Sequence, residues 1–188
     1  MAHLVAEVLS PIHVAAAMDL VVAWRATHAL VPALAWGGLT ALFSAVAPAA
    51  FIHWGIRRGR YDDHHLSDRA ARPFALAVVV GSVLVGLGAL LLLDGPRMLV
   101  ALVVAQVVGV AVAGLVSLVW KVSLHSAVSW GSVAVLVLAF GPWLALSGLL
   151  AAVISWSRVV LRAHTVGQVV VGGLVGVLVA GSFFAWLR

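Results

Sequence analysis

The stretch RAARPFALAVVV, residues 69–80, passes from two arginines directly into an apolar block. Only 9% of the 188 residues are charged and 64% are hydrophobic, whereas a soluble domain carries about 25% charged residues. The composition therefore predicts an integral membrane protein. The sequence contains no cysteine, which excludes disulfides, thiolate catalysis and cysteine-based zinc sites.

Apolar runs on both sides of that stretch have the length of membrane helices, since about 20 residues span the hydrocarbon core. Gly141-Pro142 divides residues 126–156 into two short pieces. We expect these pieces to form a tight hairpin rather than one long kinked helix. The sequence thus predicts an all-α, polytopic membrane helix bundle of six to seven transmembrane helices. The apolar runs lie at 4–24, 30–55, 74–93, 97–119, 126–140, 142–156 and 165–187.

Most charged residues fall in three polar islands between the runs. The first, GIRRGRYDDHHLSDRAARP (55–73), holds eight of the 17 charged residues. The second is WKVSLHS (120–126) and the third is SWSRVVLRAHTVGQ (155–168). If residues 126–156 form a hairpin, an even number of crossings separates each island from the next. All three islands then lie on one face of the membrane and can build a single site.

The side chains of the islands suit phosphate binding and phosphoryl transfer. Guanidinium groups bind phosphate oxygens bidentately, and two histidines can attack phosphorus and protonate the leaving oxygen. Gln168 lies one turn beyond His164, on the same helix face, where its side chain can set the tautomer of that imidazole. The candidate cations are Arg72, Lys121, Arg158 and Arg162, with Ser123 as a hydroxyl and His125 and His164 as acid, base or nucleophile.

The islands resemble the three signature segments of the type 2 phosphatidic acid phosphatase family, which is related to the vanadium haloperoxidases. The family pattern is Lys-x6-Arg-Pro, then Pro-Ser-Gly-His, then Ser-Arg-x5-His-x3-Asp. Order and spacing are kept in this chain. The matching residues are His65 and Arg72-Pro73, then Val122-Ser123-Leu124-His125, then Ser157-Arg158, His164 and Gln168.

This resemblance implies a role for each matching residue. His164 is similar to the nucleophile that forms a phosphohistidine, and His125 is similar to the general acid. The resemblance also implies a membrane phosphatase that hydrolyses lipid or isoprenyl (di)phosphates without a metal or other cofactor. The partners expected are this substrate and membrane lipids, with no nucleic acid. The implied phosphate-binding residues are Arg72, Arg158 and Ser123, with His65 at the place of the family lysine and Lys121 as its partial replacement.

Three departures from the family pattern bear on activity. His65 replaces a permanently charged lysine by a side chain that titrates near neutral pH. Leu124 replaces the glycine whose small size brings backbone amides close to phosphate. Gln168 replaces the aspartate, and its amide oxygen can orient His164 without supplying charge. In the serine-protease triad an amide at the corresponding place costs about 10⁴ in rate.

Two alternative functions remain open from the sequence. Asp62, Asp63 and Asp68 could bind Mg²⁺, which bridges to substrate phosphates, as in a terpene cyclase or prenyl-diphosphate lyase. The plainer explanation is that these carboxylates pair with nearby arginines. The second alternative is a non-catalytic lipid-phosphate binder or transporter. Asp19 is a further candidate, because an intramembrane carboxylate is commonly functional, and Asp19 and Gln106 are expected to face the bundle interior.

Charge also predicts location. Residues 1–188 are expected to form one domain that crosses the cell membrane several times. The three islands carry most of the arginines, which by the positive-inside rule favours the cytoplasmic face. Arg57, Arg58 and Arg60 retain this bias after the phosphate-binding candidates are set aside. We therefore expect an active site at the lipid–water interface on the cytoplasmic side; the sequence assigns no oligomeric state.

Overall fold

The computed structural model describes residues 1–59 and 72–188, apart from the side chains of residues 72, 73, 75 and 76. In these ranges all regular structure is helical. A π-helical segment, Leu42–Val46, joins α3 to α4, and a 3₁₀ segment, Pro142–Ser147, precedes α8. The α-helices are α1 Ala2–Val8, α2 Pro11–Thr27, α3 Leu30–Ala41, α4 Ala47–Arg57, α5 Arg72–Leu92, α6 Arg97–Val119, α7 Leu124–Phe140, α8 Gly148–Val160 and α9 Val166–Leu187.

Within the described ranges, four helical stretches are long and apolar enough to cross a membrane: Leu30–Arg57, Arg97–Val119, Pro142–Val160 and Val166–Leu187. The pair α1 and α2, bent by 48°, adds a fifth if the two helices form one span. The apolar stretches Ala77–Leu92 and Leu124–Phe140 are shorter. The 17 residues of α7 extend about 25 Å, less than a typical hydrocarbon core. Six to seven spans are therefore not confirmed.

Helices α7 and α8 form the antiparallel hairpin that the sequence predicts. The turn between them depends on Gly141, whose φ of 112° is a backbone conformation that other residues rarely adopt. Near the other end of the hairpin the Ser155 hydroxyl donates to Ser126 Oγ at 3.2 Å. The indole of Trp130 donates to Ser155 Oγ at 3.2 Å. The start of α7 and the end of α8 consequently lie side by side, which brings the second and third islands together.

Helix α9 packs closely against α7 because two glycines face it. A Cβ atom added to Gly172 would lie 2.6 Å from the Ser123 carbonyl oxygen. One added to Gly176 would lie 2.0 Å from the Ala127 carbonyl oxygen. Such close backbone approach is the usual result of a GxxxG pair in a membrane helix. It fixes α9, and the turn before it, relative to the start of α7.

The buried core lies where α2, α5, α6, α7 and α9 meet. Val22, Leu90, Leu99 and Phe184 are each fully buried there. Many large apolar side chains instead lie on the outer surface; Leu92 and Val119 are 85% and 93% exposed. An apolar outer surface suits a bundle that is surrounded by lipid. The chain therefore has the surface of a membrane protein and a packed interior.

Candidate functional site

A cavity of about 530 Å³ lies inside the bundle, between the N-terminal helices and the α7–α9 unit. One end, called here the outer end, lies beside the second and third islands. Most of the remaining wall is apolar, with Ile52, Val83, Leu102 and Val135 among its residues. The cavity thus combines a charged end with an apolar interior. The polar residues that line the outer end are His3, Glu7, Lys121, His125, Arg158 and His164.

Arg158 is the buried cation of the outer end. It lies in the last turn of α8, is only 6% exposed, and lines the cavity. Its Nε atom is buried and has no hydrogen-bond partner among the described residues. A buried guanidinium is costly unless its donors are satisfied. An oxyanion in the cavity would supply acceptors for this guanidinium.

The turn that follows Arg158 fixes its position relative to His164. The carbonyl oxygen of Arg158 accepts hydrogen bonds from the amides of Ala163 at 3.1 Å and His164 at 3.2 Å. Arg162, within this turn, has a left-handed backbone with φ of 53°, and its side chain is exposed. Of the two arginines that the third island offers, only Arg158 lines the cavity.

His164 is held by Gln168, as the sequence predicts. The two side chains meet at 3.2 Å between His164 Nδ1 and Gln168 Oε1. An amide oxygen only accepts hydrogen bonds, so Nδ1 carries a proton, and in a neutral imidazole Nε2 then keeps its lone pair. Gln168 also takes part in a capping box with Thr165 that starts α9. The start of α9 therefore fixes the orientation of the imidazole.

His125 and Ser123 mark the start of α7. His125 is buried at 8% exposure, and its Nε2 donates to the Ala6 carbonyl oxygen at 3.3 Å. Ser123 is fully buried and caps α7 by accepting from the amide of Ser126. Among the described residues, His125 lines the cavity and Ser123 does not. The structure gives the Ser123 hydroxyl a capping role, and its contact with phosphate stays a prediction.

Lys121 links the second island to the third. Its ammonium donates to the Ala163 carbonyl oxygen at 2.9 Å, and the residue lines the cavity. The amide of Ser123 donates to the Gln168 carbonyl oxygen at 3.2 Å, across the same junction. The second and third islands therefore build one surface, with a second cation close to the turn that carries His164.

The first island contributes little to the described structure. Arg72 begins α5, and nothing is described of its side chain. The predicted site residues His65, Asp62, Asp63 and Asp68 lie outside the described residues. In the ranges 1–59 and 72–188, no group of three or more His, Asp or Glu side chains is arranged to hold a metal ion.

Helix α1 brings to the outer end residues that the sequence interpretation missed. α1 packs against α8, and Glu7 interacts electrostatically with Arg158. His3 and Ala6 line the same end of the cavity. The available signal was the carboxylate itself, because a charged residue within an apolar run is a functional candidate. The break before Pro11, which lets α1 turn across the site, was a second signal.

Searches of protein-family models, curated proteins and solved structures find no match to this chain. The likeness to the phosphatase family therefore rests on the motif residues alone. The described part of the site combines a buried guanidinium, an ammonium, three imidazoles and one carboxylate at one end of a single cavity. Such a set can bind an oxyanion, attack it and protonate its leaving group.

Proposed function

We propose that this protein is a membrane phosphatase that hydrolyses a lipid or isoprenyl (di)phosphate through a phosphohistidine at His164. The main support is the arrangement around one backbone carbonyl, which ties His164 to the buried Arg158. A nucleophile and an oxyanion-binding group are thereby held at a fixed spacing on one cavity wall. In the neutral imidazole, the contact with Gln168 leaves Nε2 without a proton.

The reaction proceeds in two steps. Arg158 and Lys121 bind the phosphate oxygens, and His164 Nε2 forms a bond to phosphorus as the bond to the leaving oxygen breaks. His125, as an imidazolium, gives its Nε2 proton to that oxygen, and the alcohol leaves, or a prenyl monophosphate when the substrate is a diphosphate. Water then attacks the phosphohistidine while His125 takes its proton, which releases phosphate and restores both histidines.

His125 is placed for proton transfer by a contact that substrate can replace. Its Nε2 proton now faces the Ala6 carbonyl oxygen. A leaving oxygen in the cavity would accept the same hydrogen bond, so that the acid is aligned before the bond breaks. The long hydrogen bond of 3.3 Å is a weak competitor for this proton.

The apolar wall supports a lipid-like substrate. Side chains such as Ile52, Val83 and Leu102 line the cavity away from its charged end. They would enclose an apolar chain while the phosphate stays at the outer end. We assign the site to the lipid–water interface, on the cytoplasmic face that the arginine distribution favours.

The test is an assay of purified protein in lipid nanodiscs with phosphatidic acid and with farnesyl diphosphate, each with and without Mg²⁺. Free phosphate with diacylglycerol or a prenyl alcohol is the expected product, independent of Mg²⁺. Inorganic diphosphate with a hydrocarbon would instead indicate the magnesium-dependent lyase. Binding without turnover would indicate a lipid-phosphate binder. Acid-labile phosphate retained on the protein but absent from His164→Ala would identify the intermediate.

A further inference from the structure

The inner end of the cavity carries a second group of polar side chains, named here the inner cluster: Asp19, Ser44 and Gln106. They come from α2, the π-helical segment and α6, so three separate stretches of chain meet there. Asp19 is fully buried, and Ser44 and Gln106 line the same cavity as the outer end. The proposed phosphatase mechanism uses none of these residues.

Hydrogen bonds within the inner cluster explain the buried carboxylate. The Ser44 hydroxyl donates to one carboxylate oxygen of Asp19. The Gln106 side-chain amide donates to the other at 3.0 Å. Interhelical bonds of this kind hold membrane helices together. They account for Asp19, Ser44 and the nitrogen of Gln106 as structural contacts.

The oxygen of the Gln106 side-chain amide takes no part in these hydrogen bonds. Gln106 Oε1 is buried and has no hydrogen-bond partner among the described residues. The residue is the tenth of the 23 in Arg97–Val119, near mid-membrane, where water is scarce. A buried acceptor without a donor is destabilising. Gln106 itself lines the cavity, so a small shift of its side-chain amide would bring this acceptor to a ligand donor.

The backbone conformation near Ser44 supports a functional role for the inner cluster. Residues Leu42–Val46 form a π-helix, a conformation that occurs frequently at functional sites. The Ser82 hydroxyl of α5 donates to the Phe43 carbonyl oxygen at 2.7 Å and stabilises this segment. The π-helix directs the Ser44 hydroxyl to Asp19. Asp19 in turn holds the Gln106 side chain through its nitrogen. Gln106 Oε1 takes part in neither bond and can still accept one.

We propose that the inner cluster recognises a hydroxyl group carried on the apolar chain of the ligand, which donates to Gln106 Oε1. This inference rests on the proposed function, because it describes the apolar chain of the ligand whose phosphate would bind at the outer end. Met18, Leu102 and Ala105 line the cavity with apolar surface, so a polar group on the chain finds few partners besides Gln106. Such a cavity, apolar with a few placed polar groups, selects ligands by those groups.

The experiment compares hexadecyl phosphate with 16-hydroxyhexadecyl phosphate. Gln106 lies thirteen residues before the end of α6 at Val119, about 20 Å along the helix, which a 16-carbon chain can span. Affinities are measured from the ligand-dependent thermal stability of the protein in nanodiscs. The ratio of the two affinities is compared between the wild type and Gln106→Leu, because this comparison cancels the unequal partitioning of the two probes into lipid.

The affinity of 16-hydroxyhexadecyl phosphate is divided by that of hexadecyl phosphate. This ratio should be about three- to tenfold higher in the wild type than in Gln106→Leu. Ser44→Ala also removes a donor from Asp19 but keeps Gln106 Oε1, so it should retain the wild-type ratio. Ser132→Ala should retain it too, since this cavity-lining hydroxyl donates to the Val128 carbonyl of its own helix. Equal ratios in the wild type and Gln106→Leu would overturn the proposal.

Two further arms keep the outcome decisive. Gln106→Met repeats the comparison if the leucine variant does not fold. Hexadecane and 1-hexadecanol repeat it without a phosphate group. If neither phosphate probe binds, the proposed phosphatase function is wrong, and the neutral pair still decides the inner cluster. An alcohol preference that is unchanged by either Gln106 variant would then overturn the inference.

Discussion

The two ends of the cavity hold their polar side chains in different ways. At the outer end His125 and Lys121 bond to backbone carbonyls of loops and helix ends. At the inner end Asp19, Ser44 and Gln106 bond to one another. Side chains near water can exchange a backbone contact for substrate, whereas side chains at mid-membrane must satisfy each other. A buried polar atom without a hydrogen-bond partner is consequently stronger evidence for a ligand at the inner end than at the outer end.

The largest loss of activity is expected from a substitution of His164, at the outer end of the cavity. His164→Ala removes the proposed nucleophile and should lower phosphate release at least about a thousandfold. The rate of phosphate release from phosphatidic acid measures it. His53→Ala is the matched control, since His53 is exposed on α4 and does not line the cavity. Equal losses in the two variants would remove His164 from the mechanism.

The next effect concerns the wall that carries the outer end. Gly176→Ala places a Cβ atom 2.0 Å from the Ala127 carbonyl oxygen, so α7 and α9 must separate. We expect a loss of about 3 kcal/mol in the free energy of unfolding, together with lower activity because His125 and His164 move apart. Unfolding in detergent mixtures measures the first quantity.

Gly181→Ala serves as the control for that prediction. The nearest atom to its added Cβ is the Ala134 Cβ at 3.5 Å, an ordinary contact. Its unfolding free energy should stay within about 0.5 kcal/mol of the wild type. If both glycine variants were equally stable, close packing of α7 and α9 would not support the site.

A gain in rate is expected when charge is added at the outer end. Gln168→Glu keeps an acceptor of the same length for His164 and preserves the capping box, in which glutamate is common. The carboxylate would stabilise an imidazolium, so kcat should rise about tenfold. Steady-state kinetics measure it, and Gln168→Met, which lacks the acceptor, should lower kcat. A rate that falls in both variants would contradict the role assigned to Gln168.

The smallest effect is expected at the inner end. Asp19→Asn replaces a charged carboxylate oxygen by an NH₂ group that only donates, so the Ser44 hydroxyl must turn from donor to acceptor or lose its bond. We expect the free energy of unfolding to fall by about 1 kcal/mol. Asp94→Asn, at an exposed position with φ of 53° that asparagine tolerates, should leave it unchanged. An unaltered Asp19→Asn variant would mean that the inner cluster does not hold α2 to α6.

The sequence predicts the outer end well where the signal is local. The five-residue interval between Arg158 and His164 and the four-residue step to Gln168 both correspond to contacts in the structure. The hairpin at Gly141 follows from one dipeptide, because glycine and proline act on the backbone where they stand. Spacing along the chain therefore identifies contacts that a single turn creates.

Contacts between distant helices are not predictable in this way. Asp19 is 25 residues from Ser44 and 87 from Gln106, so their meeting depends on how α2, the π-helical segment and α6 pack. The sequence places Asp19 and Gln106 in the interior but pairs them with nothing. Glu7 is likewise brought to Arg158 by the packing of α1 on α8. Side-chain packing over the whole bundle decides these encounters, and no local pattern records it.

The Arg158 carbonyl has a consequence for how such chains are compared. One oxygen accepts hydrogen bonds from two successive amides, those of Ala163 and His164, and thereby fixes the length of backbone between Arg158 and His164. Inserting or deleting a residue in that interval would displace both amides at once. Its length is thus a structural constraint, whereas both hydrogen bonds use backbone amides and do not depend on the side chains between the two residues. Distant sequences are better aligned there by gap length than by identity.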